Sequence, residues 1–109
     1  MRAMRNLLIR GICLCVVLAV LGCSGYRSAR QAQIAEQDGD WDQAVLQYLE
    51  LIDQHPGNVS YRTGLMRAKL KASQMHFERA KELHEAGALD RALEEYRQAV
   101  QLDPSNQYA

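Results

Sequence analysis

The chain has 109 residues, which is room for one small domain, and it balances 13 Lys+Arg against 13 Asp+Glu. Zero net charge argues against bulk attraction to nucleic acid. Only 6% of residues are aromatic, and alanine, leucine, glutamate, arginine and glutamine are plentiful, a composition that favours helix and an all-α class.

Residues 1–23 differ from the rest. Arg2, Arg5 and Arg10 form a positive front, and Gly11 to Leu21 is an uncharged apolar run. Eleven residues are too few to span ~30 Å of hydrocarbon, so the layout reads as a signal peptide. Its last four residues, Val20-Leu21-Gly22-Cys23, resemble a bacterial lipobox. The resemblance implies that 1–22 is removed and that Cys23 becomes the first mature residue, carrying diacylglycerol. Its acyl chains, at ~0.8 kcal/mol per buried CH₂, would then hold the protein on a membrane. Cys13 and Cys15 leave with the signal, and the mature chain keeps no free thiol. The expected divisions are a signal peptide over 1–22, a lipidated N-terminus and short spacer over 23–25, and a helical domain over 26–109. Residues 24–109 hold ten Lys+Arg and thirteen Asp+Glu, a net of −3. Mild acidity opposes attraction to nucleic acid.

The first helix is expected over 26–37, with Tyr26, Ala29, Ala32, Ile34 and Ala35 as candidates for its buried side. Asp38, Asp40 and Asp42 follow. A calcium loop needs more oxygen ligands and a distal glutamate, so Asp40 or Asp42 reads as the cap of the next helix.

Residues 39–58 return 48 positions later as 87–106. Gly39/Gly87, Asp42/Asp90, Ala44/Ala92, Tyr48/Tyr96, Pro56/Pro104 and Asn58/Asn106 are identical. In each copy the apolar residues fall three and four apart: Trp41, Ala44, Val45, Tyr48, Ile52, then Leu89, Ala92, Leu93, Tyr96, Val100. That spacing lays one apolar stripe along a helix. The glycines can close the preceding helix in the left-handed conformation, and Pro56 and Pro104 stop the repeated one.

Such a helix must bury its stripe against an antiparallel partner. The pattern resembles the tetratricopeptide repeat family, whose units are helical hairpins. The residues carrying the likeness are Ala32, Gly39, Trp41, Ala44, Tyr48, Leu51 and Pro56, then Ala80, Gly87, Leu89, Ala92, Tyr96, Ala99 and Pro104. Trp41, Ala44, Tyr48, Pro56, Leu89, Ala92, Tyr96 and Pro104 are the expected repeat-packing positions. Ala35 departs from the family, which usually carries a large residue there. The 48-residue spacing also exceeds the family's ~34 by about 14 residues.

Those residues fall in Val59 to Ala86, which reads as one long helix with stripes at Tyr61, Leu65, Ala68, Ala72, Met75 and at Met66, Leu70, Phe77, Ala80, Leu83. A break near Gly64 is the alternative. Arg62, Arg67, Lys69 and Lys71 make its first half basic: a docking strip for an acidic partner or phospholipid, or a solvated helix face. The expected fold is therefore two helical hairpins with a long central helix.

No cofactor, metal or active site is expected. The three histidines show no metal or catalytic spacing, with His76 and His84 eight apart. The lipobox, the short spacer, Trp41-Asp42, the long helix and Leu102-Asp103-Pro104-Ser105-Asn106 together resemble the start of outer-membrane secretins that carry tetratricopeptide repeats. Free-standing repeat lipoproteins, including pilotins, share the same parts. The resemblance implies a lipid-anchored protein-interaction module on the periplasmic side of the outer membrane of a bacterium. Its partners would be secretin or pilus-assembly components. The alternatives are a free-standing envelope-biogenesis lipoprotein and a basic-helix membrane-surface binder. The expected partner surface comprises Gln31, Ile34, Gln37, Met66, Arg67 and Lys71. Contact between copies through the C-terminal end of the array is a further expectation.

Overall fold

The computed structural model describes residues 1–106, with the backbone alone at 18–25. Four helices follow in order: α1 (Arg2–Asp38), α2 (Trp41–Gln54), α3 (Val59–Glu85) and α4 (Leu89–Leu102). No strand occurs among the described residues, and the fold is an all-α, tetratricopeptide-like solenoid.

The repeat is written into the backbone. Gly39 (φ 73°) and Gly87 (φ 79°) both adopt the left-handed conformation. After α1, Asp40 N–H donates to the Ala35 carbonyl at 2.9 Å; after α3, Ala88 N–H donates to Leu83 at 2.9 Å. Both closures are the same glycine-centred cap, which satisfies carbonyls the helix end leaves open. Asp40 then caps α2 by accepting from Gln43 N–H at 3.1 Å, and Asn58 caps α3 by accepting from Tyr61 N–H at 3.1 Å. Calcium is not needed to explain Asp40. Pro56 and Pro104 stand exposed in the turns that follow α2 and α4.

The long helix forms as expected and runs unbroken through Gly64. It serves two partners in succession. Its first half turns Tyr61, Leu65, Ala68 and Ala72 into a core with Ala32, Ala35, Ala44, Val45, Tyr48 and Leu51 of α1 and α2. In its second half Phe77 and Ala80 face α4, where Phe77 meets the Tyr96 ring at 5.8 Å between centroids. Ala92 and Ala99 are buried there too. Alanine predominates in both cores, which lets the helices approach closely. Met66 and Leu70, on the second expected stripe, are exposed instead, because that half of α3 already meets α1 and α2 through its other face.

α1 continues without interruption across the expected divisions at 22 and 25. No helix end in α1 marks either expected division. Of its expected inner residues, Ala32 and Ala35 are buried and Ala29 partly so, whereas Tyr26 and Ile34 are exposed.

At Gly64 the α3 backbone lies close against α2. A Cβ placed there would run into the Tyr48 ring. Ordinarily Gly→Ala inside a helix gains ~1 kcal/mol. Here overpacking, at ~1–3 kcal/mol, should outweigh that gain. Gly64→Ala should therefore lower the melting temperature, and the same change in a Tyr48→Ala background should raise it; calorimetry of the four proteins of this cycle checks both. On the other hairpin, Ala92→Leu should cost ~1–3 kcal/mol by overpacking a buried crossing, measured by urea unfolding.

Candidate functional site

Two polar junctions tie the layers together. At the first, the Tyr48 hydroxyl of α2 donates to Glu36 Oε1 of α1 at 2.9 Å. Arg67 of α3 donates from Nη2 to the same oxygen at 2.6 Å, and reaches the Tyr48 hydroxyl at 3.5 Å. Burial, with the Glu36 bond and charge adding to it, pushes the Tyr48 phenol above its usual range. The hydrogen bond to Glu36 likewise holds Arg67 in its charged form.

The second junction centres on His76 of α3. Its Nδ1 lies 2.5 Å from Glu95 Oε2 of α4, and its Nε2 lies 3.0 Å from Asp42 Oδ1 of α2. Arg79 approaches the other Glu95 oxygen at 3.6 Å. A doubly protonated ring can donate to both carboxylates at once. Burial alone would lower the His76 pKa, but the bonds to Glu95 and Asp42 and their negative charges outweigh it, and the net shift is upward. Beside it, buried Ser73 donates to the Ala99 carbonyl at 2.7 Å and accepts from Asn106 Nδ2 at 3.1 Å. This ties the turn after α4 back to α3.

Reading the sequence for local spacing missed His76, because its carboxylates lie 34 and 19 positions away on other helices. A signal was present. Ala68, Ala72, His76 and Ala80 recur at intervals of four, and all four are buried. A polar residue within a buried alanine row requires a partner.

The expected partner surface divides. Gln31 and Ile34 line a shallow depression between α1 and α2 with Asp38, Gln43 and Gln47. There Gln47 Oε1 is buried without a hydrogen-bond partner among the described residues. Met66 and Arg67 line a separate groove of about 540 Å³ with Leu70 and Leu102, where α3 meets the end of α4. Gln37 and Lys71 are exposed outside both. The basic strip is less free than its composition suggests. Arg67 is paired with Glu36, and Arg62 Nη2 donates to the Pro56 carbonyl.

Among the repeat-packing positions, Ala44, Tyr48 and Ala92 are buried, and Trp41 and Tyr96 are partly so. Leu89 differs from expectation. It is 61% exposed, because no described helix covers α4 on the side where α3 covers α2. Cys13 and Cys15 lie exposed on α1. Two residues apart on a helix, they do not face each other as a metal pair would. The Cys23 side chain lies outside the described residues. No group of three metal-ligating side chains converges among the described residues, and no helix among them is long and apolar enough to cross a membrane.

Residues 73–106 match the tetratricopeptide repeat family. The match begins where α3 turns from α2 to α4 and ends at the Asn106 turn. That is one hairpin of the length the family requires, and it places the extra residues in the first half of α3. A tetratricopeptide repeat is a non-catalytic fold that generally binds protein partners, which fits the expectation of a non-enzyme. No curated protein and no solved structure gives a significant match to the chain.

His76 makes stability depend on pH. Its folded pKa lies above the ordinary 6.5, so its contribution is full below 6.5 and disappears as pH rises through the folded value. The melting temperature should fall over that interval, and His76→Gln should flatten the profile. A thermal-unfolding series from pH 5 to 9 checks this.

Proposed function

We propose that the chain is a lipid-anchored protein-interaction module of the bacterial envelope, held at the periplasmic face of the outer membrane through Cys23 and serving assembly of a secretion or pilus complex. The observation that carries the interaction role is the tetratricopeptide repeat at 73–106. The anchor rests on the arginine-led apolar segment ending at Leu21-Gly22-Cys23. The secretin connection rests on the likeness of the N-terminal parts to repeat-bearing secretins. On this reading the partner lies against α1 and the first half of α3. Gln31, Ile34 and Gln37 contribute on one side, and Met66, Arg67 and Lys71 on the other.

Because Arg67 also joins α1 to α3, it is a poor probe of binding: Arg67→Glu would set two carboxylates together at Glu36. Lys71 and Met66 are better placed. In vivo cross-linking from position 66 should recover a specific envelope protein, and Lys71→Glu should reduce that product at unchanged helicity. Salt-sensitive binding of the chain to anionic vesicles, with no protein recovered, would favour a membrane-surface role instead. Cys23→Ser should abolish incorporation of labelled fatty acid and leave the precursor unprocessed. Continued lipidation of that variant would remove the anchor from the proposal.

A further inference from the structure

Leu89, Leu93 and Val100 form an apolar row on the open side of α4 and are 61%, 49% and 36% exposed. The first copy shows what such a row meets. The corresponding residues of α2 are Trp41, Val45 and Ile52, of which Val45 is buried and the others partly so. They share a helix face with Tyr48, the face that α3 crosses. On α4 the corresponding face is covered by no helix among the described residues.

Beside the apolar row runs a second one, Asp90, Glu94, Arg97 and Gln101, all exposed. None of its three charged groups belongs to an ion pair among the described residues. Glu94 accepts a hydrogen bond from Gln98 Nε2 at 3.2 Å. Charge reverses along the row, with two carboxylates toward the start of α4 and a guanidinium toward its end.

We propose that this face is a two-fold contact between two copies of the chain, with α4 packed antiparallel against the same helix of a second molecule. A two-fold axis brings the same flank of each helix together, running in opposite directions. Setting Leu89 opposite the partner's Val100 brings Leu93 beside the partner's Tyr96. The same register places the partner's Arg97 between Asp90 and Glu94. One alignment thus matches the apolar row and the charged row together. In a parallel pair the two charged rows would lie on opposite flanks of the contact and would not meet. This self-complementarity selects a second copy of the chain over an unrelated helix. The contact uses none of the residues assigned to the envelope partner, so either proposal can fail without the other.

The test uses the full chain in a mild non-ionic detergent, with a photo-cross-linking amino acid at position 93 or, as control, at position 91 on the far side of α4. A cross-linked dimer is expected from 93 and not from 91. Arg97→Glu alone, and Asp90→Arg with Glu94→Arg alone, should each reduce dimer yield roughly tenfold at low salt. An equimolar mixture of the two variants should recover it, because each then meets the opposite charge; recovery also shows that both variants are folded. A mixture no more cross-linked than its components would overturn the proposal. So would a yield indifferent to Arg97→Glu, which would assign association to the apolar half of α1 or the α4 face to another protein's helix.

Discussion

Tyr48 occupies the space that a side chain at position 64 would fill, and the arrangement of the molecule follows from that seat. Glycine inside a helix sacrifices ~1 kcal/mol relative to alanine. In return the α2 ring comes against the α3 backbone at one register. Three residues further along α3, Arg67 meets Glu36; twelve further along, His76 meets Asp42. Moving α3 by a single residue would present Thr63 or Leu65 to the ring and would separate both polar pairs. The apolar core alone is less selective, because rows of small alanines tolerate sliding. The glycine and its tyrosine therefore set the register, and the polar junctions reinforce it.

The two junctions differ in character. Glu36, Tyr48 and Arg67 link α1, α2 and α3 with a permanently charged arginine. His76 links α2, α3 and α4 with a ring whose charge depends on pH near neutrality. The first hairpin is thus held to the long helix at any physiological pH, while the join between hairpins weakens in alkali. A lipid-anchored protein outside the cytoplasm, as proposed, would meet external pH directly at that join.

Much of this was legible in the sequence because it is local. Two glycines, two prolines and apolar spacings of three and four define the helix ends and inner faces, and the 48-residue repeat shows that the pattern occurs twice. What was not legible depends on packing between distant segments. Gly64 looked like a weakness in a long helix because its compensating ring lies 16 residues earlier in the chain. His76 looked unpartnered because its carboxylates come from two other helices. Arg67 looked like part of a solvated or docking strip because Glu36 lies 31 positions away. Leu89 matched Trp41 in pattern but not in burial, since pattern shows which face is apolar and not whether another helix arrives to cover it.

The unbroken course of α3 also sets an angular phase between the hairpins. Ordinary repeats are joined by turns, whose geometry fixes how each unit is rotated relative to the last. Here the joining element is a rod that advances about 100° per residue. The roughly 14 additional residues make about 3.9 turns, returning the helix to within about 40° of its starting orientation. Helical winding, rather than a loop, therefore orients the second hairpin against the first. Adding or removing one residue in this stretch would swing that hairpin by about 100°. Along this rod, length is tolerable only in near-whole turns, so insertions of three or four residues would be accommodated where a single one would not.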